Sequence, residues 1–258
     1  MSKSSLVIVG SGIKFLSHLT TEAKTYIEQS DKVLYLVNNP AMKEWILKVN
    51  SSAESLDCFY KKYTLRIDSY QAITKYILET LRKPQHVCVV FYGHPCVYAN
   101  PGLEAAQQAK QEGLYTKILP GISAEDCLFS DLMIDPGSCG CQSFEATDFL
   151  IHRKKIDVSC HIVLWQIDVI GIKNNPEKHN NENGAKLLIN YLNEYYDLEH
   201  KVILYEAAQY PGFEPRIEQL SLKNLPKAKF THISMLYIPP ACKSKLDKEI
   251  LKILNIND

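Results

Sequence analysis

Arg66-Ile67-Asp68-Ser69-Tyr70 sets a guanidinium and a phenol four residues apart, with Phe59-Tyr60 and Tyr63 just before them. On a helix, that spacing puts Arg66 and Tyr70 on one face. Two readings stay open at this level. The pair is a solvated cation–aromatic contact. Alternatively, the permanent charge of arginine favours the anion of a phenol that otherwise titrates near roughly 10, and so makes a base available.

Three other segments put glycine or proline straight after a buried-strand pattern. Val7-Ile8-Val9-Gly10-Ser11-Gly12 runs a strand into a Gly-x-Gly turn, which allows a tight bend or close approach of a ligand. Phe15 stands where a dinucleotide fingerprint needs its third glycine, which weighs against a nicotinamide oxidoreductase. Val89-Val90-Phe91-Tyr92-Gly93-His94-Pro95 follows a strand with Gly-His-Pro. Open α/β sheets bind ligands beyond such strand ends, although a plain turn with a solvated histidine fits equally. Ile118-Leu119-Pro120-Gly121-Ile122-Ser123-Ala124 reads as strand, turn and helix start. Ser123 is placed as N-cap and Asp126 as its reciprocal partner.

Elements of a definite kind must carry these residues. Strands are expected at 6–9, 32–36, 87–92 and 115–119, and helices at 20–29, 40–49, 69–81 and 101–112. Asn39 caps the second helix ahead of Pro40. This βαβα alternation predicts a largely parallel sheet covered by helices. In the second half, strands are expected at 161–167, 202–207 and 233–238, with helices at 185–195 and 243–254 and a polar loop at 174–184. Fewer helices per strand imply an α+β domain there. Asp135-Pro136-Gly137 makes a turn near the boundary, and the division is drawn as residues 1–127 and 128–258.

Val-Gly-x-Gly, Tyr-Gly-x-Pro and Pro-Gly-Ile-Ser-Ala, in this order, resemble the tetrapyrrole methylase superfamily over nearly the whole chain. Tyr92-Gly93-His94-Pro95 stands where common members have Gly-Asp-Pro. In this the chain resembles the borosin branch, which methylates backbone amide nitrogens of peptides. Asp135 to Ala146, Leu164-Trp165-Gln166, Tyr205-Glu206-Ala207, Ile233-Ser234 and Ile238-Pro239-Pro240 also resemble that branch. The resemblance implies two α/β domains of the class III methyltransferase fold, a homodimer, and S-adenosylmethionine folded in the cleft between the domains. The cofactor contacts it implies are Tyr92, His94, Val97, Tyr98, Ser123, Ala124, Gln166, Tyr205, Ala207 and Ser234. Its catalytic set of two tyrosines and an arginine falls on Tyr60, Arg66 and Tyr70, with Tyr63 in the interval.

That chemistry makes sense of those residue types. An amide nitrogen is a poor nucleophile because its lone pair is delocalised into the carbonyl. A tyrosinate accepts the N–H proton, an arginine stabilises the phenolate, and a second phenol stabilises the imidate oxygen. Tyr70 and Tyr60 both remain candidates for the base. A tetrapyrrole or corrin precursor is the alternative substrate of the same fold, and a non-catalytic cofactor-binding scaffold is the rival from another class.

Lysine plus arginine equals aspartate plus glutamate, for a net charge of +0, which argues against a bulk nucleic-acid binder. The N-terminal apolar run at 6–9 is too short for an export signal or a membrane span, so a cytoplasmic protein is expected. The eight cysteines include Cys139-Gly140-Cys141 but no Cys-x-x-Cys, and His152, His161, His179 and His200 show no ligand spacing. A metal site is therefore not expected. Beyond Pro239-Pro240 only the closing helix and Asn255-Ile256-Asn257-Asp258 remain. The expected substrate is thus a separate precursor peptide, whose leader docks on the enzyme in a heterotetramer.

Overall fold

A computed structural model describes residues 4–175 and 182–256. The chain forms two compact units. The first gathers the chain up to Leu132, a stretch beginning at Ile172, and Ala207–Arg216. The second begins at Met133 and holds most of the remaining chain.

The first unit contains strands β1 (Ser5–Gly10), β2 (Lys32–Leu36), β3 (Glu54–Ser55), β4 (His86–Phe91) and β5 (Tyr115–Leu119). Its helices are α1 (Thr21–Gln29), α2 (Pro40–Val49), α3 (Asp57–Lys62), α4 (Arg66–Thr80), α5 (Asn100–Gln111) and α6 (Ala124–Asp131). The sheet order is β3-β2-β4-β1-β5, and all its pairings are parallel. Central β1 is buried throughout, as a strand covered on both faces must be. Successive side chains point to opposite faces. Leu6, Ile8, Leu34, Val89 and Phe91 pack with Ile73 and Ile77 of α4 and Ala105 of α5. Val7, Val9, Val33 and Val90 pack on the other face with Ala23 and Ile27 of α1 and Ile46 of α2. The helices start where the sequence places their caps. Thr20 Oγ1 accepts from Ala23 N at 3.1 Å, and Asn39 Oδ1 accepts from Met42 N at 3.1 Å.

The second unit contains β6 (Cys141–Glu145), α7 (Ala146–Ile151), β7 (His161–Trp165), α8 (Glu182–Leu192), β8 (Lys201–Glu206), β9 (Arg216–Ser221), β10 (Met235–Ile238) and α9 (Lys248–Leu254). The sheet order is β6-β7-β10-β8-β9. Parallel pairing of β6 with β7 and antiparallel pairing of β10 with β7 and β8 make it a mixed sheet. Phe149, Ile162, Leu164, Leu188, Leu192, Leu204 and Leu236 form its core.

The structure corrects several element bounds. The helix expected at 243–254 starts only at Lys248, because Asp247 caps it by accepting from Glu249 N and Ile250 N. Before it, Ser244 Oγ pairs instead with Ser159 Oγ at 2.7 Å. The helix expected at 185–195 is α8, which ends at Leu192. The strand expected at 161–167 ends at Trp165 and passes through Gln166 into a single 3₁₀ turn. Of the polar loop expected at 174–184, residues 176–181, including His179, lie outside the described residues. Among the described residues no helix is long and apolar enough to cross a membrane.

Candidate active site

Helix α3 ends at Lys62 with Tyr63 as its C-cap, and after a bend at Thr64 and Leu65 α4 begins at Arg66. Arg66 and Tyr70 therefore lie one turn apart on α4. The bend folds the two helices onto each other, so the Tyr60 and Tyr70 rings meet edge to face, centroids 6.3 Å apart at 84°. A side-chain hydrogen bond joins Tyr60 to Tyr70. Burial pushes the Tyr60 phenol well above its ordinary range; charge on Tyr70 pushes the same way, and the Arg66 guanidinium opposes it. All three residues expected to be catalytic are thus gathered within the first unit. Tyr63 is not part of the cluster in the same way. It caps α3 through its backbone, and the Lys62 Nζ lies 5.4 Å from its ring centroid.

The three glycine loops meet at the carboxyl edge of the first sheet. Gly12 N donates to Gly93 O at 3.2 Å, and Gly93 N returns a bond to Gly12 O at 3.1 Å. A Cβ on Gly121 would lie 2.5 Å from Gly93 O and 2.9 Å from Gly10 Cα. Backbone thus packs on backbone, which no side chain at that position permits. At Gly12 the space a Cβ would take is filled by His18, whose Cβ would be 2.2 Å away, and the backbone there is left-handed at φ +67°.

Six of the expected cofactor residues, Tyr92, His94, Val97, Tyr98, Ser123 and Ala124, follow β4 and β5 at this edge. Directly after β4, the Tyr92 phenol is pushed up mainly by burial, so it stays un-ionised. His94 Nδ1 accepts from Cys96 N at 3.0 Å, which leaves its proton on Nε2. Val97 N donates to His94 O at 3.0 Å. Tyr98 has a left-handed backbone, φ 52°. Ser123 forms a capping box with Asp126, so capping accounts for its hydroxyl, and Ala124 opens α6. Ala207 is buried in the first unit. In the second unit, Gln166 directly follows β7 with φ 56°, Tyr205 is fully buried, and Ser234 Oγ donates to Glu206 Oε1 at 2.5 Å. Left-handed backbone at Tyr98 and Gln166 costs about 1–3 kcal/mol each, and such strain concentrates at ligand sites. The first unit's set offers backbone amides, an un-ionised phenol and an imidazole N–H. Such uncharged donors and acceptors fit S-adenosylmethionine, which brings its own carboxylate, ammonium and sulfonium charges.

The sequence matches the family model of Tetrapyrrole (Corrin/Porphyrin) Methylases over residues 5–225. The chain belongs to this family. The chain is 38% identical, over 97% of its own length and 61% of the other protein, to a Lentinula edodes methyltransferase/ribosomally synthesized cyclic peptide lentinulin A precursor. It is 37% identical over 98% of itself and 67% of a Coprinopsis marcescibilis methyltransferase/type I borosin cyclic peptide precursor. The chain therefore spans about three fifths (61%) of several curated relatives it matches. Its fold is that of the solved uroporphyrin-III-C-methyltransferase from Thermus thermophilus, with TM-score 0.66 at 17% identity and coverage of 100% and 99% of the two chains.

Two features of the chain escape a reading of the sequence alone. His18 underpins the Gly12 turn, where its Nδ1 accepts from Lys14 N at 3.2 Å. A strap beginning at Ile172 binds the bend between α3 and α4. Leu65 bridges Asn174 in antiparallel fashion, Arg66 N donates to Lys173 O at 3.0 Å, and Asn175 N donates to Thr64 O at 2.9 Å. Asparagine-rich composition marked the strap only as a loop.

Proposed function

We propose that this protein transfers a methyl group from S-adenosylmethionine to a backbone amide nitrogen of a peptide. The observation that carries the proposal is the meeting of Tyr60, Tyr70 and the Arg66 charge in one partly buried cluster. The cofactor supplies an electrophilic methyl on a sulfonium. Tyr92, His94, Val97, Tyr98, Ser123, Ala124, Gln166, Tyr205, Ala207 and Ser234 are the residues proposed to hold it.

Burial keeps the proton on Tyr60, which we therefore assign as the donor in its hydrogen bond with Tyr70. That hydrogen bond and the arginine charge both favour the Tyr70 anion. We therefore assign Tyr70 as the base that removes the amide proton. Arg66 carries five N–H donors, enough to serve both the phenolate and the amide oxygen as charge develops on it. Holding base, amide and donor in register supplies a large share of the acceleration.

The relatives' names join a methyltransferase to a peptide precursor, and this supports a peptide acceptor. We extend the proposal to an acceptor carried on a separate precursor chain. The test mixes the enzyme and S-adenosylmethionine with a panel of synthetic apolar peptides, with the products of neighbouring short reading frames, and with a porphyrinogen. One-methyl mass steps on backbone nitrogens of an added peptide support the reading. Methylation of the porphyrinogen alone, or of the enzyme's own chain alone, overturns it.

A further inference from the structure

Asn175 lies far along the chain from the proposed base, yet its side chain reaches the elements that hold it. Its amide Nδ2 donates to Tyr63 O at 2.7 Å, to Ser69 Oγ at 2.8 Å and to Tyr60 O at 3.1 Å. The first two of these acceptors lie on either side of the bend: Tyr63 closes α3, and Ser69 is in the first turn of α4. Ser69 is fully buried, and its own hydroxyl donates back to Phe59 O at 3.3 Å. One amide therefore ties the end of one helix to the start of the next. The two phenols that meet are carried on those same two helices.

The arrangement is costly if its only purpose is to fasten a loop. Asn175 Oδ1 is buried and has no hydrogen-bond partner among the described residues, a state that costs about 1–3 kcal/mol. The backbone bonds of Lys173 and Asn175 already fasten the strap to the bend. The side chain adds a fixed angle between α3 and α4.

We infer that Asn175 is a positioning residue, whose amide sets the Tyr60 hydroxyl against Tyr70 by clamping Tyr60, Tyr63 and Ser69. This rests on the proposed function for the role of the two phenols, but the clamp itself has a readout independent of activity.

The experiment compares the full-length wild type with Asn175→Ala, Asn175→Asp, Ser69→Ala and Tyr70→Phe. It measures S-adenosylmethionine binding by calorimetry, turnover on whichever synthetic peptide the wild type methylates, and phenol ionisation by ultraviolet difference titration. Asn175→Ala is expected to lower kcat by about 10²-fold, the scale of a slight misplacement of reacting groups. KM and cofactor affinity should stay within about threefold, because only transition-state alignment is lost. The difference titration should show one phenol ionising at lower pH than in the wild type. Asn175→Asp lacks the N–H donors and should fail like alanine at neutral pH. It should recover partly in acid, where a protonated carboxyl again donates. Should Asn175→Ala prove too unstable to purify, Ser69→Ala removes one arm of the clamp and should give a smaller change in the same direction. Asn175→Ala with wild-type kcat and an unchanged phenol titration, beside an inactive Tyr70→Phe, overturns the clamp and leaves the proposed function standing. A wild type that methylates no peptide overturns the proposed function, and the titration still decides the clamp.

Discussion

The Tyr60 and Tyr70 rings stand edge to face at 6.3 Å although a helix end and a bend separate them in sequence. Their meeting divides labour between two chemically identical side chains. Burial holds the proton on Tyr60, so it serves as donor. Tyr70 is hydrogen-bonded to it and shares helix α4 with Arg66. In the proposed mechanism position, rather than residue type, separates base from donor.

Replacing Tyr70 by Phe should remove the base and lower turnover by about 10²–10⁴-fold, with cofactor binding nearly unchanged. Tyr60→Phe and Arg66→Ala should each lose less, since neither residue accepts the proton: Tyr60 supports the phenolate, and Arg66 supports the phenolate and the amide oxygen. Stopped-time assays with radiolabelled methyl donor, together with calorimetry, check this. Loss of cofactor binding in all three variants contradicts the assignment.

Gly121→Ala forces a methyl group to 2.5 Å from Gly93 O. Backbone atoms on both sides leave it nowhere to go, so the substitution should destabilise by about 1–3 kcal/mol or more. Urea unfolding of the variant should show a lower midpoint, with weaker cofactor binding because the loop shifts. A wild-type midpoint would mean that the three loops do not pack as described.

His18 predicts an acid limb of stability near neutral pH. Burial, with Lys14 next, lowers its pKa below the ordinary value of 6.5, while Asp131 and Asp126 partly oppose this. In the fold Nδ1 accepts from Lys14 N, so protonation there breaks a bond. The unfolded chain then binds the proton more readily than the native one. Stability present above about pH 6.5 is lost as pH falls from that value and levels off below the folded pKa. His18→Gln should flatten the slope below about pH 6.5 in urea titrations. A slope identical to wild type contradicts the role.

His94→Ala removes the acceptor of Cys96 N and the outward Nε2 proton together. His94→Asp keeps an acceptor for the turn but presents no donor at neutral pH. Both should weaken S-adenosylmethionine binding, by about tenfold for one lost hydrogen bond, and only His94→Ala should also lower thermal stability. Calorimetry and melting curves separate the two effects.

Much of the first unit was legible because its signals are local. The bounds of β2, α2 and β5 follow from apolar runs closed by caps and breakers, as at Asn39 and Pro40. The Ser123–Asp126 capping box needs only three residues. Strand β9 alternates between exposed and partly buried positions near charged residues, and edge strand β6 has no fully buried residue, so neither stands out as an apolar run. Helix α3 has six residues and no side-chain cap, which leaves little periodicity to read. Asn175 was illegible for another reason. Its partners lie 106 to 115 residues away, and only folding shows that a loop asparagine faces the candidate catalytic bend. The Arg66/Tyr70 pair was visible by spacing and Tyr60 by the family resemblance, but that the Tyr60 ring meets Tyr70 follows only from the turn between the helices.

The most direct test is site-resolved mass spectrometry of a peptide incubated with S-adenosylmethionine and either wild-type protein or Tyr70→Phe. The account predicts methyl groups on backbone nitrogens with the wild type and none with the variant, although both bind the cofactor equally. Equal methylation by the two proteins, or methyl groups found only on side chains, would contradict it.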